Sequence, residues 1–358
     1  MANFFTSKKF SMLIINLTIL YSLLLILAYK FQRHLQYFPS GVAKAPAGFE
    51  EIKIKTQDNV EIMLWQKIPQ EYKKIIVYFH GNAGNVGDRS YRLESFAEKG
   101  YGVVALSYRG YYGSQGSPSE AGFINDAKAV MEYLASKKIP KQNLILFGES
   151  IGSGVVAQIG ANFSTEKKSL NQQPEDNQDQ QQVLNSQINS SDTSNVVNSE
   201  LSANVSNESV NIEHDASIKS ASATPNDEIK IAIEQKTPPS PENSLSQNNL
   251  QNLVDDYFMI VFDSPFFNIE EVAKKTYPFL PIKLLLKDRF DSNLFVPNIT
   301  SAVLVLHGDE DRIVPIVSGK KLFSLITAKK KFVELRGRDH IEANPDFIIE
   351  QIEAFSLK

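Results

Sequence analysis

Apolar runs alternate with amphipathic stretches along most of the chain, at the spacings expected of strands and helices. Eight strand-like runs, most of them apolar throughout, cover residues 51–56, 61–67, 74–79, 102–107, 144–147, 258–263, 302–306 and 332–335. Helical periodicity covers residues 89–98, 119–137, 317–327 and 345–355. Strands that are apolar at every position are typical of a parallel sheet covered on both faces. The pattern therefore predicts an α/β fold with a mostly parallel, eight-stranded sheet and helices on both faces.

The first apolar stretch has a different character. Residues 10–29 contain no charged side chain and are flanked by cations, Lys8 and Lys9 before and Lys30 and Arg33 after. This length suits a helix that crosses a bilayer. A cleaved signal peptide is the alternative, but the stretch is long for one and no A-x-A cleavage site follows it. We expect a tail at 1–9, a single transmembrane anchor at 10–29 and a juxtamembrane stem at 30–47.

The stem carries aromatic and cationic side chains, so it is either an interfacial collar or a segment packed on the domain. The orientation of the anchor is nearly undecided by charge. Because the amino terminus adds one positive charge to those of Lys8 and Lys9, the balance slightly favours an amino terminus in the cytoplasm. The folded domain would then be extracytoplasmic.

Residues 164–250 differ sharply in composition from the rest of the chain. They are rich in Asn, Gln, Ser, Asp and Glu and nearly lack aromatic residues. Such a segment cannot bury enough apolar surface to offset its ordering entropy. We predict a disordered insertion in a surface loop, with an unknown partner, between two parts of one folded domain, residues 48–163 and 251–358.

Charge and cysteine content exclude several classes of function. The insertion holds 5 of the 37 basic and 13 of the 41 acidic residues, so the remainder of the chain is mildly basic. This excess is too weak and scattered to predict nucleic-acid binding, although it is compatible with an anionic membrane surface. The chain has no cysteine, which excludes disulfides, thiolate chemistry and cysteine-based zinc sites. We expect neither a metal nor a cofactor.

One motif carries candidate chemistry. The strand-like run at 144–147 leads into Gly148-Glu149-Ser150-Ile151-Gly152, a G-x-S-x-G sequence typical of a nucleophile elbow. A serine on so sharp a strand-to-helix turn needs neighbours without bulk. The helix beneath it offers backbone N–H groups to a developing oxyanion. The alternative is a glycine-rich turn without chemistry. Ser150 is the predicted nucleophile.

A base and an acid follow later strands, in the chain order Ser, acid, His. His340 is the predicted base because it follows the last strand. The other four histidines lie in the stem, in the insertion, or before a glycine at a strand end: His34, His214, His80 and His307. Asp311 is the predicted acid because it lies in the middle of the loop framed by Gly308 and Pro315. Asp309, Asp263 and Asp339 are lesser alternatives, better suited to capping or bracing.

Two further sets of residues complete the predicted site. The N–H of Ile151 and that of Asn82, with Ala83 as the alternative, are expected to form the oxyanion hole. The segment 264–299 is too short for a full lid, which predicts a shallow pocket near the bilayer. Candidate substrate contacts are Tyr112, Phe266, Tyr277, Phe279 and residues 284–286; the alternative is that the apolar side chains of segment 264–299 are ordinary core of a small cap.

Taken together, these motifs resemble the membrane-anchored, short-lid branch of the α/β-hydrolase superfamily, which includes depalmitoylase-like and bud-emergence-like proteins. The matching runs are 80–85, 108–111, 114–120, 148–152, 264–266, 308–315 and 337–340. The resemblance implies a triad of Ser150, Asp311 and His340. The chain departs from the pattern in its long insertion and in Tyr112, where a small residue is common.

The resemblance and the motifs predict a membrane-anchored serine hydrolase. It would cleave a carboxylic ester or thioester, with an apolar acyl group, through an acyl-enzyme. Its partners would be a small or lipid-linked substrate and the bilayer. A serine peptidase or amidase of the same fold is the first alternative. The second is a non-catalytic, membrane-anchored scaffold that recruits partners through the insertion.

Overall fold

The computed structural model describes the backbone of residues 2–170 and 256–357, and the side chains of residues 9–161 and 256–357. These residues belong to one compact unit. The helix after Ser150 continues to Leu170, so the first residues of the predicted insertion are helical. Residues 171–250 of that insertion lie outside the described residues.

The helices and strands follow the alternation in the sequence. The helices are α1 Ala2–Gln36, α2 Ser90–Glu98, α3 Glu120–Ser136, α4 Ile151–Leu170, α5 Ile269–Thr276, α6 Ile282–Leu285, α7 Ser292–Phe295, α8 Ile316–Leu325 and α9 Pro345–Ser356. The strands are β1 Phe38–Pro39, β2 Glu50–Lys55, β3 Glu61–Lys67, β4 Ile75–Phe79, β5 Ala83–Gly84, β6 Gly102–Ser107, β7 Leu144–Glu149, β8 Met259–Asp263, β9 Val303–Gly308 and β10 Lys330–Leu335.

Eight of these strands form one sheet in the order β10-β9-β8-β7-β4-β6-β3-β2. The strands from β6 to β10 in this order are parallel, and β3 and β2 are antiparallel additions at one edge. The predicted mostly parallel, eight-stranded sheet is confirmed. The strand that precedes Ser150, β7, lies between β4 and β8. The carboxyl ends of these three strands therefore meet at one rim.

Each face of the sheet carries its own hydrophobic core. Side chains alternate between the faces, so that Val77 joins the core under α3 and α4, and the next residue, Tyr78, joins the core under α2 and α9. Both side chains are fully buried. This two-sided burial explains why the central strands are apolar at every position.

Helix α1 is long and leaves the domain at its amino-terminal end. Its segment Lys9–Gln36 has the length and apolar composition needed to cross a membrane. Its last turns contact the domain, where Arg33 forms an ion pair of 2.7 Å with Asp288. The chain then forms β1, which pairs with β5, the parallel register placing Phe38 opposite Ala83 and Pro39 opposite Gly84. The stem is thus packed on the domain.

The turn between β7 and α4 depends on backbone contact at Gly152. An ideal Cβ on Gly152 would lie 2.0 Å from the carbonyl oxygen of Phe79, so Gly152→Ala must push α4 away from β4. We expect the Gly152→Ala variant to lose at least about 2 kcal/mol of unfolding free energy, as overpacked sites do. Thermal unfolding in detergent measures this loss.

The matched control is Gly160→Ala in the same helix. There the added Cβ would meet the flexible end of Ile260 at 2.7 Å, and alanine also favours the helix. We expect a change within about 1 kcal/mol. Equal stability of the two variants would contradict the proposed close contact at Gly152.

Candidate active site

The elbow presents Ser150 at the carboxyl rim of the sheet. The backbone of Ser150 has a φ of 51°, a left-handed conformation that costs free energy in a residue other than glycine. An ideal Cβ on Gly148 would lie 2.6 Å from the carbonyl oxygen of Gly152, which explains the small residues on either side. The N–H of Ser150 donates to the carbonyl of Asp263, at 2.9 Å, and so ties the turn to β8.

His340 and Asp311 converge on this hydroxyl. Nε2 of His340 lies 2.9 Å from Oγ of Ser150, and its Nδ1 lies 2.7 Å from Oδ2 of Asp311. The other carboxylate oxygen of Asp311 accepts the N–H groups of Ile313 and Val314 at 2.9 and 2.7 Å. Because a carboxylate only accepts, Nδ1 of the neutral imidazole carries the proton and Nε2 is free to accept one.

The environment of Asp311 keeps its carboxylate ionised. Burial opposes ionisation, but hydrogen bonds from His307 and His340 outweigh it and hold the pKa of Asp311 below its usual range. Nε2 of His307 also lies 2.8 Å from the carbonyl of Val314, which requires that nitrogen to be the protonated one. His307 therefore braces the loop that carries Asp311.

The lesser alternatives for the acid have other partners. Asp309 accepts the N–H of Gly337 at 2.7 Å, and Asp339 is paired with Arg312 beside the His340 loop. Asp263 is fully buried against Arg92.

His80 is also fully buried, and burial lowers the pKa of its imidazole to about 4.

The loop that carries Asn82 is held from above by the stem. The carbonyl of Asn82 accepts the N–H of Phe38 at 3.0 Å and the hydroxyl of Tyr111 at 2.7 Å. The side-chain amide of Asn82 donates to the carbonyl of Gln36, at 2.8 Å. The other predicted donor, Ile151, is the first residue of α4, so its N–H has no intrahelical partner.

The same loop is held from below by a buried carboxylate. Glu149 accepts the N–H of Gly81 at 3.1 Å and forms an ion pair of 2.5 Å with Arg89. Arg89 also donates to the carbonyl of Ala83 at 2.9 Å. Burial opposes ionisation of Glu149, but the positive charge and hydrogen bonds of Arg89 lower its pKa to about 2. The hydroxyl of Tyr78 is a further donor to this carboxylate.

A second buried arginine supports the loop of the base. Arg92 forms an ion pair of 2.7 Å with Asp263 and donates to the carbonyls of Ile341 and Ala343 at 2.9 and 3.1 Å. The N–H of Ile341 in turn donates to Oγ of Ser264 at 3.1 Å. Charged side chains beneath the rim thus fix both the Asn82 loop and the His340 loop.

An apolar cavity of about 260 Å³ lies beside these loops. Its walls come from the end of α1, from Phe38 and Asn82, from α5 and α6, and from Ile313. Of the predicted substrate contacts, Tyr277, Leu285 and Leu286 line this cavity. Phe266 is buried in the sheet core, Tyr112 packs against the opposite core, and Phe279 is exposed beside α1.

Comparison with known proteins matches residues 70–170 to a family described as "Serine aminopeptidase, S33". The esterase Pf2001 of Pyrococcus furiosus superposes with a TM-score of 0.52 at 14% identity, covering 89% of this chain and 96% of that one. The chain has the α/β-hydrolase fold. The structural likeness, at this identity, concerns the fold alone.

Two relatives are similar to parts of this chain. Protein bem46 of Schizosaccharomyces pombe is 36% identical over 148 residues, 37% of this chain and 50% of that protein. Lysophosphatidylserine lipase ABHD12 of Danio rerio is 24% identical over 283 residues, 74% of this chain and 50% of that protein. The chain thus spans about half the length of each.

Sequence reasoning missed the supporting side chains of this α/β-hydrolase site. In the sequence, Glu149 is only the variable position of the motif, and Arg89 is only the first residue of a predicted helix. A signal was present, because a carboxylate at the end of an otherwise apolar strand needs a buried cation.

Within the described residues, no group of three or more His, Asp or Glu side chains is arranged to hold a metal ion.

The Arg89–Glu149 pair generates a prediction about stability and activity together. Arg89→Met leaves the buried carboxylate of Glu149 without its main partner, which typically costs about 3–5 kcal/mol. It also removes a hydrogen bond to the carbonyl of Ala83 in the Asn82 loop. We expect a lower unfolding temperature, and a lower kcat in the fraction that remains folded.

The control is Lys53→Met, which breaks the exposed Lys53–Glu61 pair of 2.8 Å. Exposed pairs contribute little, so its unfolding free energy should change by less than about 1 kcal/mol. Thermal unfolding monitored by circular dichroism measures both variants. An Arg89→Met variant as stable as Lys53→Met would contradict a supporting role for the buried pair.

Proposed function

We propose that this chain is a membrane-anchored serine hydrolase that cleaves carboxylic ester or thioester bonds through an acyl-enzyme. The observation that carries the proposal is the chain of contacts from Ser150 through His340 to Asp311, at 2.9 and 2.7 Å. Both distances suit proton transfer and orientation by a carboxylate. The name of the relative ABHD12, a lysophosphatidylserine lipase, agrees with ester chemistry.

The first half-reaction forms a covalent intermediate. Oγ of Ser150 attacks the acyl carbon while Nε2 of His340 takes the hydroxyl proton, and the carbonyl π electrons move to oxygen. Asp311 stabilises the imidazolium without taking its proton. As the tetrahedral intermediate collapses, the C–O or C–S bond breaks. The leaving alcohol or thiol receives the proton from His340. The acyl group remains on Oγ of Ser150 as an ester.

The second half-reaction reverses these roles with water. His340 takes a proton from water as the oxygen attacks the acyl-enzyme, and returns it to Oγ of Ser150 when the bond to the acyl group breaks. In both steps the oxyanion would be bound by the N–H groups of Ile151 and Asn82. Each such donor typically stabilises the transition state by about 3–4 kcal/mol.

The proposed anchor is the segment 10–29 of α1, and the other domain boundaries are those predicted from the sequence. The flanking charges slightly favour an extracytoplasmic position for the folded domain. The apolar segment of α1 is exposed on the domain's surface, as a lipid-facing helix would be. A membrane-bound enzyme meets membrane-bound substrates at a high effective concentration. An apolar, lipid-linked acyl substrate is therefore favoured over a freely soluble one.

Peptidase or amidase activity is the second candidate. It is supported by the description of the matched family, a serine aminopeptidase, which covers the elbow and the Asn82 loop. The same three residues could attack an amide, since the chemistry differs only in the leaving group. Parallel assays of acyl esters, acyl thioesters and amino-acid amides on the same preparation separate the two candidates.

The nucleophile is tested by Ser150→Ala. This change removes the attacking oxygen and little volume, so labelling by a fluorophosphonate probe should disappear while the unfolding temperature stays unchanged. Ser136→Ala, an exposed serine at the end of α3, is the control and should label as the unchanged protein does. Labelling retained in Ser150→Ala would rule out the proposed nucleophile.

The acid is tested by comparing Asp311→Asn with Asp309→Asn. An amide at 311 can donate to Nδ1 and select the wrong tautomer of His340, so kcat should fall by roughly 10⁴-fold. Asp309 contacts Gly337 rather than the imidazole, and its substitution should lower kcat by less than about tenfold. A reversed order, measured on p-nitrophenyl acetate, would assign the acid to Asp309.

A further inference from the structure

One wall of the cavity beside the candidate triad comes from outside the sheet and its covering helices, namely from the end of α1. Ala28, Gln32, Leu35 and Gln36 of α1 line it, over about 12 Å of helix. The opposite wall is the cap, defined here as residues 269–286, which contains α5 and α6. Helix α1 therefore forms one wall of this cavity.

The cavity borders residues of the predicted catalytic site. Asn82, a predicted oxyanion donor, lines it together with Ile313, whose N–H donates to Asp311. Gln36 also lines the cavity, and its Oε1 is buried and has no hydrogen-bond partner among the described residues. The rest of the lining is mainly aliphatic. A ligand that fits has a polar carbonyl end and an apolar tail.

The outer part of the cap lies beside the membrane-spanning part of α1. The hydroxyl of Tyr21 donates to the carbonyl of Phe279 at 3.0 Å. Lys287 lies over the ring of Tyr29, 4.0 Å from its centroid, and marks the level of the charged headgroups. Tyr21 is eight residues before Tyr29, which places the contact with Phe279 about 12 Å deeper along the helix.

The exposed side chains of the cap fit that depth. Phe279 is 59% and Leu284 is 82% exposed on the domain surface, next to the apolar face of α1. Two large apolar side chains so exposed beside a transmembrane segment are suited to hydrocarbon rather than to water. Lys283, between them in sequence, is long enough to extend its ammonium group to the headgroups.

We propose that the cavity between α1 and the cap binds the acyl chain of a membrane lipid ester or thioester, which enters sideways from the leaflet that contains Phe279 and Leu284. This inference rests on the proposed hydrolase function. Ala28 is then a determinant of chain length, because a larger side chain there would fill the cavity from the side of α1.

The experiment uses the full chain in lipid nanodiscs, with p-nitrophenyl acetate, octanoate and palmitate as substrates. Ala28→Phe should lower kcat/KM for palmitate by at least about tenfold and leave acetate within about twofold. Leu27→Phe is the matched control, because it places the same ring on the lipid-facing side of α1. It should leave all three values unchanged.

If Ala28→Phe kept the same preference for palmitate over acetate, the assignment of the acyl site would be overturned. Ester hydrolysis by the protein without substitutions would still support the proposed function. Failure of the unchanged chain to hydrolyse any ester or to label with fluorophosphonate would overturn both. These two failures are thus distinguishable.

A second measurement needs no variant. A fluorophosphonate with a palmitoyl-length alkyl chain, carrying a diazirine midway along it, is attached to Ser150 and irradiated. Crosslinks should fall on peptides from the end of α1 and from α5, as identified by mass spectrometry. Crosslinks confined to the opposite side of the rim, around Tyr112, would overturn the proposal even if Ala28→Phe fails to fold.

Discussion

The buried carboxylate of Glu149 is the interaction on which the candidate site depends. A carboxylate at the end of a central, fully covered strand is stable as an anion only if donors surround it. Arg89 and Tyr78 supply them from the side chains, and Gly81 supplies one from the backbone. Since Glu149 precedes Ser150, the same carboxylate fixes the elbow and the loop that faces it.

Three residues at this rim are held in left-handed backbone conformations without being glycine. Ser150, Ser264 and Ile341 have φ values of 51°, 52° and 54°. Each such residue costs roughly 1–3 kcal/mol and persists only where its surroundings fix it. Here the surroundings are known: β8 holds Ser150, and Arg92 with Ser264 holds Ile341. The strain is concentrated on the elements that carry the predicted nucleophile and base.

The sequence predicted the sheet and the positions of Ser150, Asp311 and His340 for one physical reason. Parallel strands have continuous apolar runs, and residues that follow such runs meet at one rim. The supporting roles of Arg89 and Arg92 could not be predicted in this way, because their partners Glu149 and Asp263 lie 60 and 171 positions away in the sequence. Only the folded structure shows that they are in contact. Phe266 illustrates the same limit, since an aromatic residue after a strand fits a core and a pocket equally well by composition.

The stem changes what the proposed membrane attachment would mean for the candidate site. A flexible tether would raise only the concentration of substrate around the domain. Here Phe38 and Gln36 bind the Asn82 loop, Tyr37 is buried against Phe123, and Arg33 pairs with Asp288 in the loop after the cap. These contacts fix the direction of α1 relative to the rim. The proposed anchor therefore orients the site toward the bilayer, and positioning of the scissile carbonyl becomes a property of the anchor as well as of the pocket.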